Sequence, residues 1–253
     1  MNKQNIANIL DQAAKNAKAV PQMAATNQMT LEEAYEIQRM AIQLRVERGE
    51  KITGYKLGFT SKAKMEQMGV HDLIWGILTD EMKLEQGETV NLNRWIHPRV
   101  EPEIAFRVSK DINRQLTLKE LPEYLDGMAP ALEIIDSRYE NFKFSLEDVV
   151  ADNCSSTGYV IGDWQTLSTA ISDLRMDLLV NTAVVESASS AAILDNPLQS
   201  VVELSRLASE AGLNVKKGQV ILAGAATAAV FLKPNQTLYA SVEKMGDVGF
   251  KTK

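Results

Sequence analysis

From Lys51 onward the chain is written as short apolar runs broken by turn signals, and no other feature constrains the fold as strongly. KITGYKLGF, RVEPEIAFRV, PALEIID, GYVIGD, RMDLLVNTAVVE, GQVILAG and AAVFLKP read as strands, and YASVEKMGDVGFK as a final hairpin around Met245-Gly246-Asp247. Helical patterns interrupt them at residues 61–68, ending at Gly69, at Thr117–Leu125 and at Pro197–Gly212, where Asn196-Pro197 is a start signal and Gly212 a stop. Strands and helices do not alternate regularly, which disfavours a doubly wound parallel sheet. The segment before Lys51 is different. Residues 4–19 form an amphipathic pattern on Ile6, Ile9, Leu10 and Ala13. Pro21 and the polar run to Gln28 read as a linker. Thr30 and Glu33 have capping-box spacing ahead of a helix that carries Leu31, Ala34, Tyr35, Ile37, Ala41 and Leu44 and ends near Gly49. The expected class is α+β, with an N-terminal helical segment over residues 1–50 and a β-rich domain over residues 51–253.

The chain has 253 residues, 45% apolar and 24% charged, ordinary values for a folded domain. A net charge of −6 and a pI of about 5.2 supply no basic footprint for nucleic acid or an anionic membrane. An anionic small molecule stays open, because a metal ion and a few Lys or Arg residues can reverse the field inside a cleft. Cys154 is the single cysteine, which excludes an intrachain disulfide and zinc sites built from several cysteines. Histidine occurs only at His71 and His97, so a metal here should be held mainly by oxygen. The N-terminus lacks the continuous apolar core of a signal peptide, and no run approaches transmembrane length. The expected location is the cytoplasm.

Glu101 and Glu103 lie two apart in the strand pattern Val100–Phe106 and therefore project from one face. Adjacent carboxylates repel, and desolvating both is costly unless a hard cation joins them. Pro102 lacks an N–H, so this strand is expected at an edge or at a bulge. Glu133 stands in the otherwise apolar Pro130–Ile135 and needs a partner. On spacing alone two readings stay open: a Mg2+ or Mn2+ site, or solvated glutamates paired with Arg99, Arg107 and Arg138. Lys56, between Tyr55 and Leu57, is either a lysine whose stem covers the sheet or one placed beside a metal-bound anion. Val150–Gly158 is either a loop with an Asx-turn or a cradle of donors for a carboxylate. Cys154 reads as a buried structural residue, His71 and His97 as surface residues, and Trp75, Trp95 and Trp164 as packing groups.

Taken in order, Gly54–Ser61, Gly76–Asp80, Arg99–Phe106, Pro130–Arg138 and Ala151-Asp152-Asn153 resemble the hydratase/decarboxylase family of aromatic meta-cleavage catabolism, itself related to fumarylacetoacetate hydrolase. The resemblance runs from the helix at Thr30 to the final hairpin. It implies a mixed β-rich roll and a Mg2+ or Mn2+ ion on Glu101, Glu103 and Glu133, chelated by the 1-carboxylate and 2-oxo group of a small substrate. It places Lys56 as the catalytic lysine, and Ser155, Thr227, Ile74 and Leu78 around the substrate. It also implies a homo-oligomer and admits a complex with the pathway's hydratase.

Two branches of the family must be separated. One hydrates 2-hydroxypenta-2,4-dienoate; the other decarboxylates 2-oxo-3-hexenedioate (4-oxalocrotonate). Asp136–Phe144 and Thr60–Val70 resemble the decarboxylases. The hydratases typically carry an Asp just before the aromatic residue that precedes Gly76, whereas Ile74 stands here before Trp75. Decarboxylation is the expected reaction, hydration the alternative, and a non-catalytic scaffolding subunit a third reading that intact Glu101, Glu103, Glu133 and Lys56 argue against. The turn Ala223–Thr227 and the loop at Asp163–Thr166 depart from the family pattern.

Overall fold

The structure is a computed structural model that describes residues 1–60 and 72–253; the helix expected at 61–68, with Gly69 and His71, lies outside the described residues. The chain opens with helices α1 (Lys3–Asn16), α2 (Ala24–Asn27) and α3 (Leu31–Glu47). The Asn2 side chain caps α1 by accepting from the Asn5 N–H, and Thr30 and Glu33 form the expected capping box on α3. Where a linker was expected, α2 makes a single helical turn, because the Met23 and Ala24 N–H groups donate to Asp148 Oδ1 at 3.0 and 2.9 Å. Ile6, Leu10, Ala34 and Ile37 share a core with Ile74, Tyr139 and Val150, so the helices pack onto the β region.

Next come β1 (Ile52–Gly58), β2 (Ile74–Thr79), β3 (Thr89–Val90), β4 (Arg99–Val108), α4 (Leu121–Tyr124), β5 (Leu125–Ile135), α5 (Leu146–Ala151) and β6 (Ser156–Ile161). The remaining elements are β7 (Arg175–Val180), β8 (Ala183–Ser189), α6 (Pro197–Glu210), β9 (Val220–Leu222), β10 (Val230–Phe231), β11 (Thr237–Val242) and β12 (Gly246–Thr252). One sheet runs β2-β1-β9-β4-β5-β6 with β10 also on β4; the other runs β3-β12-β11-β7-β8. β1–β9 and β3–β12 pair in parallel, the other pairs antiparallel. Leu132, Ile134 and Val160 of the first sheet pack against Leu178, Leu238, Val248 and Phe250 of the second. The class is α+β, as expected. No helix among the described residues is long and apolar enough to cross a membrane.

Three local expectations change. The helix expected at Thr117–Leu125 shrinks to α4, because the Glu120 carboxylate takes the Thr117 N–H and hydroxyl into a turn and Leu125 already pairs with Val108. RMDLLVNTAVVE folds as the hairpin β7–β8, with Asn181 and Thr182 at positive φ in its turn. β4 is not an edge strand. Its second side pairs with β9 at Ala105–Arg107 and with β10 at Arg99-Val100, leaving an unladdered gap between them. Pro102 sits in that gap, where its carbonyl accepts from the Ala226 N–H, so its missing donor breaks no ladder.

Candidate active site

Strand register brings the acidic residues together. Glu101 lies directly opposite Glu133 across β4–β5, and Glu103 follows two residues along the same face. Each of the three offers an oxygen within 4.8 Å of the others. Glu103 and Glu133 are fully buried and Glu101 is 8% exposed. Compensation is incomplete. Gly224 N–H donates to Glu103 Oε2 at 2.7 Å, and Lys56 Nζ lies 3.0 Å from Glu133 Oε2. Glu103 Oε1 and Glu133 Oε1 are buried without a hydrogen-bond partner among the described residues. Burial, joined by the negative neighbour Glu133, holds the Glu103 carboxyl well above its ordinary range. Burial also raises Glu133, with Lys56 pulling the other way. For Lys56, burial works against the ammonium, but the carboxylates around it, Glu133 foremost, outweigh that and keep it charged. Convergent hard oxygens, excess negative charge and orphaned buried lone pairs are the donor set that a divalent cation completes.

Two glycines make the arrangement possible. Lys56 pairs with Gly76 across β1–β2, and a Cβ at Gly76 would meet the Asn153 carbonyl at 2.7 Å and Lys56 Cδ at 3.3 Å. The lysine stem therefore lies over bare backbone on its way to Glu133. Gly224 has φ +102°, and a Cβ there would stand 2.3 Å from Thr60 Oγ1. Only glycine can bring this N–H to Glu103.

The segment after α5 shapes one wall. Asn153, Cys154 and Ser155 all take positive φ, at 51°, 52° and 59°. The Asn153 side-chain amide bridges to Ile77, accepting from its N–H and donating to its carbonyl, each at 2.8 Å. That anchor holds the strained turn beside β2. Cys154 Sγ donates to the Trp75 carbonyl at 3.1 Å, and burial pushes its thiol up to about 12, so it stays protonated and is no nucleophile. The Ser155 hydroxyl is buried with no hydrogen-bond partner among the described residues. Arg138 is structural: its Nε ion-pairs with Asp152 Oδ1, its N–H donates to Asp152 Oδ2 at 2.9 Å, and its guanidinium also reaches the Asp152 and Ser156 carbonyls.

A cavity of about 350 Å³ opens over this floor, lined by Lys56, Glu101, Ile74 and Ser155 of the residues singled out from sequence. Glu103 and Glu133 lie buried within ligand reach of Glu101. Two residues fall elsewhere. Leu78 is fully buried against Met82, Ala105, Ala131 and Tyr159, four residues along β2 from Ile74 and outside the cavity lining. Thr227 also lies outside that lining, and its hydroxyl donates to the Ala228 carbonyl at 3.0 Å. His97, expected at the surface, is half-buried with its ring 5.3 Å from Phe142. Trp75 stacks on Tyr35 at 4.9 Å, Trp95 is buried in the inter-sheet core, and Trp164 lies under Arg107, so all three are packing groups. Sequence reasoning did not place Phe142 or Phe144 in the cavity, and considered Arg99 only as a partner for the glutamates; all three line it. Arg99 had a legible signal, because it shares a strand face with Glu101 and Glu103.

Known proteins share this architecture. A family model described as fumarylacetoacetate (FAA) hydrolase C-terminal matches residues 63–251. A 4-oxalocrotonate decarboxylase from a Pseudomonas species is 47% identical over 98% of this chain and 96% of its own length. A 2-keto-4-pentenoate hydratase from Paraburkholderia xenovorans (strain LB400) is 34% identical over 97% of this chain and 93% of its own. Among solved structures, the 4-oxalocrotonate decarboxylase from Pseudomonas putida G7, complexed with magnesium and adipate, superimposes with a TM-score of 0.95 at 34% identity, covering 99% of this chain and 97% of that one.

Proposed function

Because this chain belongs to the fumarylacetoacetate hydrolase family, we propose that it is a carboxy-lyase that converts 2-oxo-3-hexenedioate to 2-hydroxypenta-2,4-dienoate and CO2 with the help of Mg2+ or Mn2+. The observation that carries this reading is the cavity's composition: a carboxylate cluster and a charged lysine at the floor, with the buried apolar Ile74 in the wall. The 47% identity to a 4-oxalocrotonate decarboxylase supports it, as does the adipate, a six-carbon dicarboxylate, in the solved relative.

Glu101, Glu103 and Glu133 would hold the ion, which when bound supplies Lewis acidity to the 2-oxo acid end of the substrate. The bond between C5 and the distal carboxyl carbon breaks, and its electron pair forms a C4–C5 double bond. The C3–C4 double bond moves to C2–C3, and the charge arrives on the 2-oxo oxygen, which takes up one proton. Lys56, kept as an ammonium among the carboxylates, supplies positive charge and a proton near that oxygen. The unpartnered Ser155 hydroxyl offers a hydrogen bond to the substrate. Ile74 excludes water from the departing end. Residues 1–50 would be the helical segment and 51–253 the catalytic domain of a cytoplasmic homo-oligomer able to join the pathway's hydratase.

A second reading, hydration of 2-hydroxypenta-2,4-dienoate on the same floor, draws on the 34% identity to a 2-keto-4-pentenoate hydratase. Offering the purified protein each substrate with Mg2+, and following CO2 release separately from diene loss, decides between them. Rapid hydration of the dienoate with no CO2 from 2-oxo-3-hexenedioate would overturn the decarboxylase reading.

A further inference from the structure

The proposed substrate carries a second carboxylate, and the cavity floor accounts only for the first. Among the described residues lining the cavity the cations are Lys56 and Arg99, and Lys56 is engaged with Glu133. Arg99 stands two residues from Glu101 on the same face of β4, a step of about 6.5–7 Å along the strand. A 2-oxo acid seated at the glutamates would extend its chain over a comparable span.

The setting of Arg99 is unusual. Its guanidinium carbon lies 3.8 Å from the ring centre of Phe142 and 4.1 Å from that of Phe231, so two aromatic rings flank it at cation–π distance. Its Nε is buried and finds no hydrogen-bond partner among the described residues, and no ion pair joins it to one of them. A guanidinium is planar and carries its N–H donors around its edge, the direction from which a planar carboxylate is bound in two-point fashion. Ile74, Ile135, Phe144, Val149 and Ala228 make much of the surrounding lining apolar, so a carboxylate entering here finds few competing donors.

We propose that Arg99 is the anchor for the distal carboxylate and that it makes the site selective for 2-oxo dicarboxylates over 2-oxo monocarboxylates. This rests on the 2-oxo acid reading of the floor. Because the distal carboxylate leaves as neutral CO2, the contact is strongest in the bound substrate and fades as the bond breaks. Arg99 therefore acts on KM more than on kcat.

The test is calorimetric titration of the Mg2+-loaded protein with 2-oxoadipate and 2-oxohexanoate, saturated probes that differ only in the distal carboxylate. The unmutated protein should bind 2-oxoadipate at least about tenfold more tightly, the scale of a charge-assisted hydrogen bond. Arg99→Gln should remove that preference, weakening 2-oxoadipate by about tenfold or more while 2-oxohexanoate and Mg2+ change little. Phe231→Leu, at a half-exposed position, should erode the preference in part. No preference in the unmutated protein, or equal weakening of both probes in Arg99→Gln, would overturn the inference. Binding is read without turnover, so loss of CO2 release with selectivity intact would count against the reaction assignment alone.

Discussion

Two buried clusters of charge lie close together in this molecule, and they are built on opposite plans. In one, Asp152 and Arg138 satisfy each other: both carboxylate oxygens receive donors from Arg138, and the guanidinium spends its remaining donors on backbone carbonyls. In the other, Lys56 reaches Glu133 and the Gly224 N–H reaches Glu103, yet Glu103 Oε1 and Glu133 Oε1 find no hydrogen-bond partner among the described residues. The first cluster is closed and holds the turn after α5. The second is left open among the described residues, and it lies at the floor of the cavity. Burial and charge are common to both, so neither marks a reactive site; incomplete satisfaction does.

The sharpest way to break this contrast is Glu103→Gln. Turnover should fall by about a thousandfold or more, the scale of several kcal/mol of Lewis-acid assistance. Melting in the presence of a chelator should stay level or rise, since a repelling carboxylate has gone while Gly224 N–H keeps an acceptor. A large drop in metal-free stability would place Glu103 in the same class as Asp152. The mirror experiment is Arg138→Leu, which leaves Asp152 buried without its cation and should cost about 3–5 kcal/mol in urea denaturation at pH 8. Burial already lifts Asp152 to about 6, above its unfolded value. A native carboxyl with a raised pKa holds a proton that the unfolded chain has released, so its penalty is present above the folded pKa and disappears as the pH falls through it. With Arg138 gone that pKa rises further, and the gap between variant and unmutated protein should narrow from pH 8 towards pH 6. A gap that widens instead would show that Asp152 is not the group left exposed to the loss.

Lys56→Ala should lower turnover by about a hundredfold, comparable to losing one donor aimed at a developing oxyanion. Mn2+ titration should still find a site, because the proposed role of the lysine is on the substrate and not as a ligand. Complete loss of metal binding would merge lysine and glutamates into a single structural unit. The smallest effect is expected at the wall: Ile74→Asp should reduce CO2 release by roughly tenfold, about 1.4 kcal/mol on the barrier. Appearance of slow hydration of the dienoate in that variant would sharpen the reading of Ile74 as the residue that keeps water out.

Much of this was legible in the residues themselves. The capping box at Thr30 and Glu33 is a local device, and the shared face of Glu101 and Glu103 follows from strand alternation. The pairing of Glu101 with Glu133, and of Lys56 with Gly76, is a matter of register between distant segments, which periodicity does not encode. The family resemblance grouped Glu133 and Lys56 with the other two glutamates, and the register itself became visible only in the fold. Leu78 shows the limit of alternation: it shares the parity of Ile74 along β2, but four residues carry it past the cavity and under Tyr159. Pro102 shows another. The rule that proline avoids central strands assumes an unbroken ladder, and here the neighbouring strand is divided into β9 and β10.

Gln38 gives the N-terminal helices a claim on the site that their distance along the chain conceals. This fully buried side chain on α3 donates to the Trp75 carbonyl at 3.0 Å and to the Val150 carbonyl at 3.1 Å. Those two carbonyls belong to the strand that carries Ile74 and to the helix that leads into Cys154 and Ser155. The match to the family model begins only at residue 63, so a version of the protein trimmed to that match would lose this strut together with β1 and Lys56. Even a cut just ahead of β1 would strand two carbonyls behind the cavity wall and open the core that Ile37 shares with Ile74. For anyone seeking a minimal working catalyst, the dispensable-looking front end is the back wall of the reaction chamber.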